Sequence, residues 1–266
     1  MSIALALVRA AHPLPGLAVT VLTALLAASM GVSAQTTMVL VVAVLSGQLV
    51  VGWTNDVRDR ERDRRVGRRD KPLATGELSV GLVRSAIGVS AVACVVASLL
   101  CGPGAGLLHL TLGVGAGLAY NFSLKSTGLS WLPYTLAFGS LPAVVSLSRD
   151  PSALPPLWMI AVGALLGFAA HLLNAMPDLA DDATTGVRGF PHRLAPTTVP
   201  TVAALTLVAA SVVAVFGSRT PPTAGQWILL SAVLVLAVAV TRTTGKRPFY
   251  AAIVIAGINV VMLLIG

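Results

Sequence analysis

Two short acidic clusters interrupt a sequence that otherwise carries few acidic residues. The first cluster reads NDVRDRERD and contains Asn55, Asp56, Asp59 and Asp63. The second cluster reads NAMPDLADD and contains Asn174, Asp178, Asp181 and Asp182. Each cluster directly follows a long apolar run, and carboxylates at a membrane boundary are costly and usually functional.

The spacing of the acidic residues predicts two carboxylate stripes. On a helix, Asp56, Asp59 and Asp63 share one face because they are spaced i, i+3 and i+7. Positions 174, 178 and 181 share a face in the same way. Three like charges on one face repel one another unless a cation holds them. Two facing stripes would therefore chelate a hard cation such as Mg²⁺, through which a diphosphate can be held.

The basic residues between the carboxylates have a simpler explanation. Arg58, Arg62 and Arg65 fall roughly opposite the acidic face, which is typical of intrahelical pairing or contact with lipid headgroups. The chain has a net charge of +8, but its basic residues concentrate in a loop between apolar runs and no nucleic-acid motif is present. We therefore expect membrane lipids and a diphosphate as counter-charges, and no nucleic acid.

Composition places the chain in a membrane. Of its 266 residues, 56% are hydrophobic and only 11% are charged, whereas a soluble domain carries about 25% charged residues. Runs long enough to cross a bilayer predict an all-α, polytopic membrane bundle of about nine helices. The predicted spans are 13–33, 37–54, 79–101, 104–121, 131–148, 157–176, 198–216, 226–241 and 249–265. The second and eighth are short, so eight spans stay an alternative.

The basic residues also predict an orientation. With nine spans and a cytoplasmic N-terminus, 16 of the 18 basic residues lie on inner segments, and only Arg149 and Arg219 lie outside. This asymmetry follows the positive-inside rule. It predicts a multi-pass cell-membrane protein with both acidic clusters on the cytoplasmic side.

The positions of the clusters, at the ends of spans two and six, suggest internal symmetry. Equivalent positions four spans apart are typical of duplicated membrane proteins. We therefore expect one domain, 1–266, with two pseudo-equivalent halves at about 1–125 and 126–266.

At these residues the chain resembles the UbiA superfamily of intramembrane prenyltransferases. That family's first motif is N-x-x-x-D-x-x-x-D, often N-D-x-x-D-x-x-x-D, and its second is D-x-x-x-D. The resemblance implies a bundle around a central cavity, with Asp59, Asp63, Asp178 and Asp182 as catalytic residues. It implies Mg²⁺ ligands at the same four residues and Asn55. Which two of Asp178, Asp181 and Asp182 bind metal stays open.

The resemblance continues through RRDKPLATGELS and LAYNFSLKSTGLSWLPY, where basic residues would assist the diphosphate. It implies substrate binding by Asn55, Asp56, Arg69, Lys71, Tyr120, Lys125, Asn174 and Asp181. Arg68 is a further candidate in the same loop, although the positive-inside rule explains these basic residues equally well. Tyr120 could be an ordinary interfacial aromatic. Asn174 could instead cap a helix that Pro177 breaks.

The function implied by the resemblance is Mg²⁺-dependent transfer of a prenyl group from an isoprenyl diphosphate to a small aromatic, quinone-precursor or lipid acceptor. No carboxylate lies in the apolar spans away from the two clusters, so we expect an acceptor already rich in electrons. A terpene cyclase of the same superfamily, which needs no acceptor, is the main alternative. Phosphoribosyl transfer to a polyprenyl phosphate would need a more polar pocket. In a non-enzymatic transporter, the carboxylates would serve as an ion relay.

Overall fold

The structure, a computed structural model, describes residues 2–184 and 186–265, and these form an all-helical bundle. The helices before the second acidic cluster are α1 (Ile3–Ala10), α2 (Pro13–Ser29), α3 (Ala34–Arg65), α4 (Pro72–Thr75), α5 (Val80–Leu100), α6 (Pro103–Leu108), α7 (Ala116–Phe122), α8 (Leu132–Leu147) and α9 (Leu157–Ala175). The remaining helices are α10 (Leu179–Thr184), α11 (Thr198–Phe216), α12 (Ala224–Arg242) and α13 (Arg247–Ile265).

Helical structure occupies every apolar range that the sequence predicts to cross the membrane. Within the described residues, six helices are long and apolar enough to span a bilayer by themselves. The count is seven if α1 and α2, which meet at a 70° bend, are one span. Helix α8 is shorter, and the range 103–122 is divided by a π-helical turn. The multi-pass helical architecture is confirmed, whereas nine crossings stay a prediction.

The bundle exposes large apolar side chains around its outside. Val89, Leu157 and Ile228 are 73%, 82% and 69% exposed, which is the surface expected of helices in contact with lipid tails. Inside, α9, α11, α12 and α13 share one core that includes Leu172, Leu207 and Ile255. A second core joins α2, α3, α5, α6, α8 and the start of α9.

Helix α3 extends well beyond the predicted span 37–54. Its 32 residues correspond to about 48 Å, since an α-helix rises about 1.5 Å per residue, whereas the hydrocarbon core is about 30 Å thick. No glycine or proline lies between Trp53 and Arg65. Basic residues in the last turn also favour the helix C-terminus. The first acidic cluster therefore lies on a rigid continuation of a membrane helix.

The N-terminal segment packs against α3 through a close backbone contact. A Cβ at Gly52 would lie 2.4 Å from the carbonyl oxygen of Ala11, so only glycine allows this approach. The indole nitrogen of Trp53 also donates to the carbonyl of Leu7, at 2.9 Å. The contact holds His12, which lies between α1 and α2, beside the acidic cluster. The sequence did not predict α1, because its eight residues are too few for a span.

Two further features position the second half of the site. Gly163 and Gly167 of α9 let α8 approach closely, since a Cβ at either would lie within 2.4 Å of a carbonyl oxygen of α8. Helix α9 ends at Ala175, and a 3₁₀ turn over Met176–Asp178 precedes α10. The predicted interruption of the helix at Pro177 is confirmed, and the second acidic cluster begins in this turn.

Candidate active site

The three aspartates of the first cluster are buried on one face of α3, as their spacing predicts. Asp56, Asp59 and Asp63 are 1%, 6% and 2% exposed. Glu61, on the same stretch of helix, is exposed. Burying three carboxylates is costly unless other groups compensate their charge, so the partners of these side chains define the site.

Asp59 has three partners among the described residues. The ammonium of Lys125 donates to Oδ1 of Asp59. The amide of Asn55 and the guanidinium of Arg62 both donate to Oδ2, each at 3.2 Å. Lys125 therefore reaches the acidic face from the turn after α7, whereas its role in assisting the diphosphate stays a prediction.

Asn121 fixes the orientation of Asn55. The amide nitrogen of Asn55 donates both to Asp59 and to Oδ1 of Asn121, the latter at 3.1 Å. Asn121 is buried and in turn donates to the carbonyl of Val51, at 2.9 Å. Both amide hydrogens of Asn55 are thereby used, which leaves its oxygen as the atom able to bind a cation. The sequence did not single out Asn121 as a positioning residue.

The two acidic clusters meet through arginine side chains. Arg62 donates from Nη1 to Asp182 at 3.1 Å while its Nη2 contacts Asp59. Arg68 donates to Asp178 at 3.0 Å. Clusters about 120 residues apart in sequence thus face one another across a single guanidinium. The expectation that Arg62 lies opposite the acidic face is wrong, because its long side chain turns back into the site.

Lys71 and Arg69 differ in their placement. Lys71 donates to Asp56 at 2.7 Å, and its Nζ lies 2.8 Å from Nε2 of His12. The other oxygen of Asp56 is buried and has no hydrogen-bond partner among the described residues. Arg69 is exposed, and the structure does not bring it to the carboxylates. Its neighbour Arg68 takes the place in the site that the sequence assigned to Arg69.

An aromatic group lies beside the second cluster. The ring of Tyr120 packs edge-on against Tyr134 and His171, with centroids 5.3 and 5.8 Å apart. Asn174 donates to the hydroxyl of Tyr134 at 3.1 Å, a contact across helices rather than the helix cap considered from the sequence. Asp181 is exposed, although it does not lack partners.

The site's charges are sensitive to burial. Burial raises the pKa of the Asp182 carboxyl, although Arg62 opposes the shift. Burial likewise lowers the pKa of the Lys125 ammonium, although the negative charge of Asp59 opposes the shift. At the edge of the site, the hydrogen bond from Arg68 lowers the pKa of Asp70 to about 2. Carboxylates and cations inside the site therefore depend on one another to stay charged.

The donor set has the chemistry of a Mg²⁺ site. Carboxylate and amide oxygens are the ligands that hard cations prefer, and the unpartnered oxygen of Asp56 shows that the acidic face has unused binding capacity. Within the described residues, no three His, Cys, Asp or Glu side chains already lie close enough together to hold a metal ion. Cationic side chains occupy positions between the carboxylates instead.

An apolar cavity begins one helical turn below Asn55. It has a volume of about 40 Å³ and lies between α2, α3, α8 and the π-helical turn His109–Gly115. Val51 is in its wall and also accepts the hydrogen bond from Asn121. The cavity therefore lies next to the acidic site along α3.

These features define a polytopic membrane protein whose two acidic clusters meet beside an apolar cavity. The chain belongs to the UbiA prenyltransferase family, whose sequence profile matches residues 17–262. No curated relative matches the sequence.

Solved structures share the fold at low sequence identity. A UbiA homolog from Aeropyrum pernix K1, in its apo form, is 15% identical with a TM-score of 0.75, covering 100% of this chain and 98% of that one. A UbiA homolog from Archaeoglobus fulgidus, bound to GPP and Mg²⁺, is 13% identical with a TM-score of 0.73, covering 98% and 100%. A structure concerning digeranylgeranylglyceryl phosphate synthase in membranes is 12% identical with a TM-score of 0.69, covering 98% and 97%.

Proposed function

We propose that this protein is a Mg²⁺-dependent intramembrane prenyltransferase that transfers a prenyl group from an isoprenyl diphosphate to an electron-rich aromatic or quinone-precursor acceptor. The observation that carries the proposal is the contact of Arg62 with both Asp59 and Asp182. The contact brings one carboxylate from each motif to the same guanidinium, which supports the proposal that both motifs bind one cation-bridged ligand. A diphosphate bound through Mg²⁺ needs ligands on two sides, and the two motifs would supply one side each.

The residues proposed to hold Mg²⁺ are Asn55, Asp59, Asp63, Asp178 and Asp182, and the ion would supply Lewis-acid charge to the leaving diphosphate. Arg62, Arg68 and Lys125 would exchange their carboxylate partners for phosphate oxygens. Guanidinium groups suit this exchange because their planar donors match both carboxylates and phosphates. The cationic side chains would then stabilise the charge that develops on the leaving group.

The cavity supports the second requirement of the reaction, which is protection of an allylic cation. Its apolar wall lies directly below the site and would exclude the water that otherwise captures the cation. The Archaeoglobus fulgidus homolog was solved with GPP and Mg²⁺, which supports the donor class and the metal proposed here. The charge asymmetry of the loops supports a site that faces the cytosol.

The proposal is tested with purified protein in detergent, supplied with Mg²⁺ and geranyl diphosphate, with and without 4-hydroxybenzoate or 1,4-dihydroxy-2-naphthoate. We expect pyrophosphate release and a prenylated ring, both dependent on acceptor concentration and lost in excess chelator. Conversion of the donor alone to one cyclic product would reject prenyl transfer in favour of a terpene cyclase. Absence of pyrophosphate release from any isoprenyl diphosphate would reject both.

A further inference from the structure

His12 has a backbone conformation that favours glycine. It lies at the corner between α1 and α2, with φ 52° and ψ 63°. A Cβ makes this left-handed region unfavourable for most residues, and the side chain of His12 does not compensate by capping α2. Glycine would therefore be the less strained residue at this corner unless the imidazole is needed for a contact.

The imidazole of His12 contacts the ammonium of Lys71. Nζ of Lys71 donates to Oδ1 of Asp56 at 2.7 Å and lies 2.8 Å from Nε2 of His12. An ammonium has donors and no acceptor, so Nε2 must accept with its lone pair. His12 is therefore neutral in this arrangement, with its hydrogen on Nδ1. Nε2 is 3.7 Å from Oδ1 of Asp56, which is too far for a hydrogen bond, so His12 acts on Asp56 through Lys71.

Asp56 needs this lysine. The carboxylate is 1% exposed, and its Oδ2 is buried without a hydrogen-bond partner among the described residues. Because a buried carboxylate is costly unless a cation pairs with it, Lys71 must stay on Oδ1. The second hydrogen bond, to His12, then fixes the direction of the ammonium. An ammonium carries three hydrogens, so one hydrogen of Lys71 stays available to a ligand.

Packing fixes both partners of this contact. Ala10 precedes His12 by two residues, and Leu73 follows Lys71 by two residues. Ala10 and Leu73 are buried in the same apolar cluster, which also contains Trp53 of α3. The N-terminal segment and the loop of Lys71 therefore meet on the helix that carries the first acidic cluster, and the contact does not depend on a bound ligand.

Resting on the proposed function, we propose that His12 is a positioning residue for the donor diphosphate. It holds the Lys71 ammonium with one hydrogen on Asp56 and one on Nε2, so that the third is directed to a phosphate oxygen. The N-terminal segment thereby belongs to the donor site, although it lies outside both acidic motifs. The ammonium contacts the diphosphate both before and during cleavage of its bond to the prenyl group. Loss of its alignment therefore weakens donor binding more than it slows the chemical step.

The test compares His12→Gly with a matched control, Arg219→Gly. Arg219 also has a positive φ, of 61°, and lies at the other end of the bundle. Glycine adopts this conformation without strain, so both variants should keep the melting temperature of the wild type. His12→Gly should raise KM for geranyl diphosphate about 10-fold, the scale of one hydrogen bond to a charged group, while kcat changes little. Arg219→Gly should leave both constants unchanged.

A double-mutant cycle separates positioning from a merely structural role. If His12 acts through Lys71, His12→Gly should raise donor KM in the wild-type background but not in Lys71→Gln. Glutamine keeps an amide donor for Asp56, so that carboxylate is not left without a partner. Binding without turnover gives a second readout: Mg²⁺ with pyrophosphate should raise the melting temperature of His12→Gly less than that of wild type and Arg219→Gly.

The outcomes distinguish this role from the proposed function. Wild-type donor KM in His12→Gly, or an equal rise in KM in both backgrounds, would overturn the positioning role and leave the proposed function intact. A lower melting temperature of His12→Gly together with a loss of kcat would show a structural role instead. Absence of pyrophosphate release by the wild type from any isoprenyl diphosphate would overturn the proposed function, and the positioning role with it.

Discussion

At the scale of single residues, Asp59 is the centre of the site because it links two elements directly and a third through Arg62. Asp59 accepts hydrogen bonds from Lys125 in the turn after α7 and from Asn55 and Arg62 on its own helix. Arg62 also donates a hydrogen bond to Asp182. Removing one member of a buried charge network leaves the others uncompensated, which commonly costs about 3–5 kcal/mol. A substitution at Asp59 should therefore keep the shape of the side chain if its effect on catalysis is to be separated from folding.

Asp59→Asn meets that requirement. The amide retains the size of the carboxylate but loses the charge that would hold Mg²⁺, so we expect prenyl transfer to fall by at least about 100-fold, the scale of losing one transition-state stabiliser. Pyrophosphate release with Mg²⁺ and geranyl diphosphate measures the effect.

Glu61→Gln removes one carboxylate from the same helix and provides the control. Glu61 is exposed, and among the described residues it pairs with Arg60 and Arg64 on the surface, so the variant should retain wild-type turnover. Equal activity of Asp59→Asn and Glu61→Gln would contradict the assigned role of Asp59.

The sequence predicts some of these residues and not others, for a physical reason. Helical periodicity places Asp56, Asp59 and Asp63 on one face, and their burial agrees. Periodicity sets only the direction of the Cα–Cβ bond, however, and the long side chain of Arg62 bends away from that direction to reach Asp182. Asn121 gains its role only through tertiary contact with α3, which no local pattern shows.

At the scale of elements, the α8–α9 contact positions one side of the site. Tyr134 on α8 accepts the hydrogen bond from Asn174 on α9, so the two helices must keep their separation and register. Gly167 lies about two turns before Asn174 on α9, and a Cβ there would lie 2.3 Å from the carbonyl oxygen of Tyr134. The close crossing depends on the absence of a side chain at that position.

Gly167→Ala should therefore force the helices apart and destabilise the protein by about 1–3 kcal/mol, the usual cost of overpacking. We expect a lower melting temperature in detergent, together with reduced prenyl transfer, because the Tyr134–Asn174 contact is displaced. Gly257→Ala is the matched control, since nothing lies within 4 Å of a Cβ at Gly257. A melting temperature for Gly167→Ala equal to that of the control would show that the contact tolerates a side chain.

The elements themselves were largely predictable, because a membrane imposes long apolar runs. The ranges 79–101, 157–176 and 198–216 match α5, α9 and α11 to within a few residues. The differences arise where hydropathy carries no information. Helix α3 continues to Arg65 because helix formation does not require apolar residues, and the π-helical turn at His109 is a hydrogen-bond shift that leaves hydropathy unchanged.

At the scale of the whole molecule, one end of the bundle concentrates charge. The C-terminal end of α3, the loop through Lys71 and the turn at Lys125 carry basic residues and surround the acidic clusters. The opposite end of α3 begins at Ala34, about 48 Å away at the usual helical rise. The division of the chain into two pseudo-equivalent halves, each of which contributes one acidic cluster to this end, stays a prediction. Its orientation in the membrane decides which compartment supplies the donor.

Single cysteines test that orientation. We expect Val66→Cys, at the charged end, to resist an impermeant thiol reagent in intact cells and to react after the membrane is permeabilised, because basic loops stay on the cytoplasmic side. Gln35→Cys and Ser218→Cys, both exposed positions at the other end of the bundle, should react in intact cells. The native Cys94 and Cys101 are buried, so the unsubstituted protein is the background control. Labelling of Val66→Cys but not Gln35→Cys in intact cells would reverse the orientation and place the acidic site away from a cytosolic diphosphate.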